Sequence, residues 1–260
     1  MNRPELLDST LREGEQTPGV YFTVEQKVEI AKRLDAFGVD FIEAGHPMVS
    51  QDIRAGVAAV AREGLNAQIL AHARAVTNDI DAARHCDADW VGIFFSVRNQ
   101  ALEQRFRKNI DQAVDVVQGA VTYAKAHGLK VRYTPEDTVR SPIENVTRIA
   151  NAAVQAGADR ISVADTTGYM TPTRMHAFIT ELRSNVKVPL NVHCHNDLGM
   201  AVANSLAAYE AGATLIDVTV NGLGERTGIA SLAETAVALK LKGGRMRLRP
   251  PSIIWFQRRR

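Results

Sequence analysis

The sequence predicts an α/β fold, a (β/α)8 TIM barrel built as a single domain, on three observations. Eight short apolar or β-branched runs recur along the 260 residues, at 6–9, 39–44, 68–72, 90–95, 130–134, 160–164, 190–193 and 215–220. Longer amphipathic stretches lie between them, and glycine closes several of those stretches before the next run begins. Eight such units within about 240 residues match a closed barrel, whereas a doubly wound sheet of this length more often carries five to seven strands.

The elements follow in order. The first run, Leu6-Leu7-Asp8-Ser9, leads to a segment over 24–37 with apolar positions at Val28, Ile30, Ala31, Leu34 and Phe37, the spacing of one helix face, and Gly38 stops it. Later stretches of helical period cover 110–127, 143–156, 172–184 and 201–211, and Gly128, Gly157 and Gly212 mark the ends of three of them. Each is long enough to serve as the crossover between parallel strands. No linker or low-complexity stretch interrupts residues 1–242, which are therefore expected to form the barrel. From Gly243 onward neither structural period continues, and 243–260 read as an irregular basic tail, expected to be truncated or non-native and to lack a further helical region.

Composition narrows the function. The chain is 45% hydrophobic and 23% charged, which excludes a disordered or collagen-like chain and a membrane protein. Lys and Arg number 31 against 29 Asp and Glu, but six Arg fall in the tail, leaving 25 basic and 29 acidic residues before it. That distribution makes no basic face for nucleic acid. Two cysteines, Cys86 and Cys194, are too few for a disulfide framework, and no signal peptide is apparent, so a reducing cytoplasm is the expected location.

Polar residues crowd the C-terminal ends of the runs, where a barrel of this kind builds its site. They are Asp8 to Gln16 after the first run, Glu43 to His46 after the second, His72 in the third, Arg132 to Asp137 in the fifth, Asp165-Thr166 in the sixth and His193 to Asp197 in the seventh. His193 and His195 are two apart on a strand, so both imidazoles face one side while Cys194 faces the other. The pair serves either as hydrogen-bonded rim histidines or as two ligands of one metal ion, with Asp8 or Glu13 as carboxylate ligand. Two imidazoles and one or two carboxylates leave positions on a divalent ion for a chelating substrate such as a 2-oxo acid. The ligand types leave Zn²⁺, Mn²⁺, Co²⁺ and Mg²⁺ open, with imidazole weighing somewhat against Mg²⁺.

Arg12 lies between those acids. It can hold negative charge developing on a carbonyl oxygen, pair with Glu43 or Glu13, or do both, since a buried guanidinium needs partners to be oriented. Glu136 is either a proton-transfer group or an anchor for its neighbours. The run Gly222-Leu223-Gly224-Glu225-Arg226-Thr227-Gly228 could bring backbone amides to a phosphate or thioester, but it is no dinucleotide fingerprint.

The run from Asp8 to Gln16, the His193-Cys194-His195-Asn196-Asp197 segment and the glycine loop at 222–228 together resemble the DRE-TIM metallolyase superfamily, in particular its homocitrate and 2-isopropylmalate synthases, over roughly residues 5–242. The resemblance implies a metal-dependent acyltransferase of amino-acid biosynthesis. In its Claisen condensation the enolate of acetyl-CoA attacks the keto carbon of a 2-oxo acid, and thioester hydrolysis then releases CoA. It assigns the metal to His193, His195 and a first-strand acid, Glu13 or Asp8. Arg12 would polarise the reacting oxygens and Thr166 would bind the substrate carboxylate. Glu225-Arg226 stand where the lyase branch carries a cysteine, which favours a synthase. His72, Arg132 and Thr134 resemble the set that grips the distal carboxylate of 2-oxoglutarate, while Ile42 to Pro47 and Asn204 to Ala208 resemble the isopropylmalate branch. The resemblance further implies a homodimer and a helical region beyond the barrel, contributing His and Tyr to proton removal, with no counterpart after Lys242. A barrel that binds oxo acid but turns over poorly, or partners a longer homologue, is the second implied function.

Overall fold

The structure, a computed structural model, describes residues 3–242. The expected tail at 243–260 lies outside the described residues. Eight parallel strands close into a barrel in sequential order: β1 (Glu5–Asp8), β2 (Phe41–Gly45), β3 (Gln68–Arg74), β4 (Trp90–Ser96), β5 (Lys130–Glu136), β6 (Arg160–Asp165), β7 (Leu190–Cys194) and β8 (Leu215–Val218). The barrel shuts where Leu7 of β1 stands opposite Asp217 of β8 and Phe41 of β2. Among the described residues eight long helices wrap it: α1 (Val24–Phe37), α2 (Gln51–Ala61), α3 (Thr77–His85), α4 (Ile110–Ala126), α5 (Ile143–Gln155), α6 (Pro172–Asn185), α7 (Ala201–Glu210) and α8 (Leu232–Leu241).

Local sequence explains where helices start and stop. Thr23 and Gln26 close a reciprocal capping box at α1, Asn109 and Gln112 do the same at α4, and Pro172 supplies a preset φ at the start of α6. Gly38 ends α1 at φ +101°, a conformation that costs other residues the clash of a Cβ. Every strand shifts from its predicted limits by one or two residues, and two of them fall two residues short of a predicted limit. The last run stops at Val218 because Val220–Gly222 turns tightly, with Asn221 at φ 59°. The second begins at Phe41, since Asp40 turns its carboxylate onto the Leu6 amide at 3.0 Å, and it runs on to Gly45.

Strand parity sorts the side chains into two environments. Leu6, Ile42, Val192, Cys194 and Val218 face outward into the large apolar layer between sheet and helices. Leu7, Phe41, Leu70, Trp90 and Leu215 form a second cluster that plugs the N-terminal half of the barrel interior. With that half filled by apolar side chains, inward-facing residues further along each strand are left for the C-terminal half. Those residues are polar.

Candidate active site

A cavity of about 470 Å³ opens at the C-terminal end of the strands. Its lining includes Arg12, Glu13, His72, Arg132, Thr134, Glu136, Thr166, His193 and His195, so the tertiary fold brings nine of the ten site residues predicted from sequence into one space. Asp8 is the exception. It pairs in register with Ile42 and Val218, both outward-facing, so it takes the parity of the helix layer, and its Oδ1 accepts from the Thr10 amide at 2.8 Å. Burial, with a smaller contribution from Asp217, raises its carboxyl to about 7 despite the Thr10 hydrogen bonds.

Glu13 reaches the interior by another route. The chain after β1 turns back on itself, with the amides of Arg12, Glu13 and Gly14 all directed at the Ser9 carbonyl, and this turn lays Glu13 beside the two histidines. Glu13, His193 and His195 are all buried, and each offers a ligand atom within 4.8 Å of the other two. His193 Nε2 stands 3.3 Å from His195 Nε2 and 3.8 Å from Glu13 Oε2. A divalent ion with bonds of about 2.1 Å sets adjacent nitrogens about 3.0–3.4 Å apart, so the two imidazoles are spaced as ligands of one ion. Asp217 Oδ2 lies 3.0 Å from His193 Nδ1, which makes Nδ1 the protonated nitrogen and leaves the Nε2 lone pair for coordination.

Electrostatics prepare the same three groups. Burial and the neighbouring His193 push His195 down to about 3, so its ring is neutral and able to ligate. Burial by itself would raise Glu13, but Arg12, the two histidines and the Glu225 amide, 2.9 Å from Oε1, outweigh it and keep the carboxylate ionised. The glycine loop therefore serves the site through its backbone. Its Gly224 amide donates to Thr17 Oγ1 at 2.8 Å and its Gly228 amide to the Glu225 carbonyl at 2.9 Å, so these three amides are committed within the protein and not turned to a phosphate or thioester.

Arg12 pairs with both acids considered for it. Its Nη1 donates to Glu13, and its Nε donates to Glu43 Oε2 at 2.8 Å. Glu43, fully buried on β2, also accepts from Ser9 Oγ at 2.5 Å and from Arg132 Nη2 at 2.7 Å. Burial opposes its charge, but Arg12, Arg132 and His72 together hold the carboxyl well below its usual range. Arg132 is an internal strut: Nη1 reaches Asn191 Oδ1 at 3.3 Å and Asp217 Oδ2 at 3.5 Å, and only Nε has no partner. His72 stacks on Phe94 with ring centroids 4.6 Å apart, its Nδ1 lies 3.3 Å from Glu43, and burial with the two guanidinium groups lowers it to about 4.

Glu136 stands at the end of β5 with Oε1 3.5 Å from Arg105 and Oε2 buried without a partner, and Thr166 Oγ1 accepts from the Asp137 amide at 3.1 Å. Sequence reasoning did not single out Asp217, Asn191 or the place of His46 in the wall. Asp217 carried a readable signal, as the one charge in an otherwise apolar strand, Leu-Ile-Asp-Val. Five buried side-chain atoms on this cavity have no hydrogen-bond partner: Arg132 Nε, Thr134 Oγ1, Glu136 Oε2, Ser162 Oγ and His195 Nδ1. Buried polar groups are rarely left unpaired, and several converging on one space mark a site built for a polar ligand.

The HMGL-like family model matches residues 3–254 of the sequence. The homocitrate synthase of Pyrococcus abyssi is 53% identical over 234 residues, covering 90% of this chain and 64% of that protein. A probable 2-isopropylmalate synthase of Methanopyrus kandleri is 48% identical, covering 92% of this chain and 48% of that protein. The chain thus spans between about half and two thirds of the length of these relatives. Among solved structures, hydroxymethylglutaryl-CoA lyase from Pseudomonas aeruginosa superposes with a TM-score of 0.84 at 21% identity, over 98% of this chain and 92% of that one, a likeness of fold.

Proposed function

The chain belongs to the HMGL-like family, and from that premise we propose that it is the barrel of a metal-dependent acyltransferase that condenses acetyl-CoA with 2-oxoglutarate to homocitrate. The observation that carries this reading is the buried Glu13, His193 and His195 set, with Arg12 bonded to Glu13 on one side and the polar wall of His72 and Thr134 across the same cavity. The 53% identity to a homocitrate synthase supports the choice of substrate.

Each residue has a task in that chemistry. Glu13, His193 and His195 would hold the divalent ion, Zn²⁺, Mn²⁺, Co²⁺ or Mg²⁺, which when bound acts as a Lewis acid on a carbonyl oxygen. Arg12, fixed between two carboxylates, supports negative charge developing on the keto oxygen as the enolate carbon of acetyl-CoA bonds to the keto carbon. Thr166 receives the carboxylate next to that carbon. His72, Thr134 and the free Nε of Arg132 face the far carboxylate, and the unpaired Oε2 of Glu136 is an acceptor for a moving proton. Water then cleaves the thioester and CoA leaves. The same reading carries a cytoplasmic location and a homodimer. Among the described residues, no helix is long and apolar enough to cross a membrane.

The second reading is a 2-isopropylmalate synthase acting on 2-oxoisovalerate, favoured by the apolar part of the lining, Val20, Val49, Ile53 and Phe94. CoA release from acetyl-CoA with each oxo acid and a divalent ion, beside calorimetric titration of each acid, tests the two. Release with 2-oxoglutarate alone supports the first, release with 2-oxoisovalerate alone the second, and metal-dependent binding without release a barrel that needs groups from outside it to turn over.

A further inference from the structure

His46 is a wall residue of the cavity that the chemistry above does not use. It stands just beyond β2, where Gly45 at φ +145° turns the chain, and its ring meets His72 edge to face at 5.9 Å and Phe94 at 6.3 Å. Its Nε2 lies 2.8 Å from Oδ2 of Asp79 on α3. Asp79 is fully buried, and the rest of its acceptor capacity is taken by Arg74, whose amide, Nε and Nη2 donate at 3.0, 2.8 and 2.8 Å. That ionised carboxylate makes His46 Nε2 the N–H, so only Nδ1 is left to meet a ligand.

The neighbours of this ring matter because the far end of the cavity is short of cation. Arg132, the obvious anion partner, spends both terminal nitrogens on Glu43, Asn191 and Asp217. His72 is kept neutral by burial and by the two guanidinium groups near it. The charged and titratable groups packed around His46 are His72 and Arg74 from β3 and Asp79 from α3, while β4 offers only the apolar Phe94. An anion reaching His46 therefore meets the Nδ1 edge of a ring whose opposite edge is anchored 2.8 Å from a buried carboxylate, so that in the imidazolium form it bridges the anion and Asp79.

We propose, on the basis of the function assigned above, that His46, oriented by Asp79, binds the far carboxylate of a dicarboxylic 2-oxo acid beside His72 and so selects a dicarboxylic over an aliphatic substrate. His46 is a specificity-determining residue and Asp79 the residue that positions it.

The test compares 2-oxoglutarate with 2-oxovalerate, which has the same five carbons and no far carboxylate, by calorimetric titration of the metal-supplied chain. In His46→Phe the preference for 2-oxoglutarate should shrink by about 10–100-fold, the scale of one lost charge-assisted hydrogen bond, while binding of 2-oxovalerate stays within a few-fold. His46→Gln, which keeps an N–H for Asp79 but turns a carbonyl to the cavity, should lose the preference as well, and it replaces the Phe variant if that fails to fold. Asp79→Asn should lose part of it with a melting curve that remains cooperative. An unchanged preference in His46→Gln, or an equal loss for both acids, overturns the proposal. Failure of the parent reading looks different, because the unmodified chain would then show no preference for 2-oxoglutarate at all.

Discussion

Single residues in this barrel are set by which way their strand turns them. Asp8 and Leu7 are neighbours in sequence, yet Leu7 joins the interior plug and Asp8 sits under the helices with a carboxyl raised from 3.8 to about 7 by burial. The folded chain then binds a proton that the unfolded chain releases between those values. The stability from the neutral form is complete below about pH 4 and is lost as pH rises through about 7. Asp8→Asn keeps an acceptor for the Thr10 amide and has no charge to bury. In urea denaturation of the metal-free proteins, the Asn variant should gain on the parent as pH rises from 5 to 8, by an amount on the order of 2–4 kcal/mol. A difference that stays flat with pH would mean that Asp8 is ionised throughout.

Much at this scale was legible beforehand. The two-residue spacing of His193 and His195 was enough to turn both rings inward and Cys194 outward, because the strand period is two. Glu13 could not be separated from Asp8 in that way, since its position depends on a turn rather than on a strand. Glu43 was readable as a partner of Arg12, but its contact with Arg132, 89 residues further on, was not.

Elements act on the site through loops held in shapes that side chains would forbid. The loop after β8 delivers the Glu225 amide to Glu13, and it can do so because Gly228 sits at φ +79° against Gly222, where an added Cβ would lie 1.7 Å from the Gly222 carbonyl oxygen. Gly228→Ala must displace that loop. Metal affinity should fall about 10–100-fold, as when a ligand loses its supporting hydrogen bond, while the helical circular dichroism persists. Metal titration with a competing chelator reads the first and a thermal melt the second. Unaltered affinity would show that Glu13 needs no backbone donor. The spacing of helices and glycines predicted which segments these loops connect, but not that this one hands its amides to the first.

For the whole molecule, the barrel and the candidate ligand set are one object, because Glu13, His193, His195 and the Asp217 behind them come from the first, seventh and eighth βα units. Unfolding scatters these groups, so an ion that binds the folded chain stabilises it by mass action, about 2.7 kcal/mol at a hundred times the dissociation constant. Zn²⁺ or Mn²⁺ should raise the melting temperature in a concentration-dependent way, chelation should reverse it, and His195→Ala should abolish it. A melting temperature indifferent to metal in the parent would remove the metal site.

The sequence by itself determined the barrel, its eightfold βα order and the identity of the polar residues at the strand ends, because period, capping and strand parity are local properties carried by neighbours in the chain. Only the tertiary structure laid Glu13 beside the two histidines and turned Asp8 away from them, tied Arg132 to Glu43 and Asp217, and set His46 against Asp79. Those outcomes depend on which side chains meet after the barrel closes, and closure joins residues whose separation along the chain carries no trace of their contact.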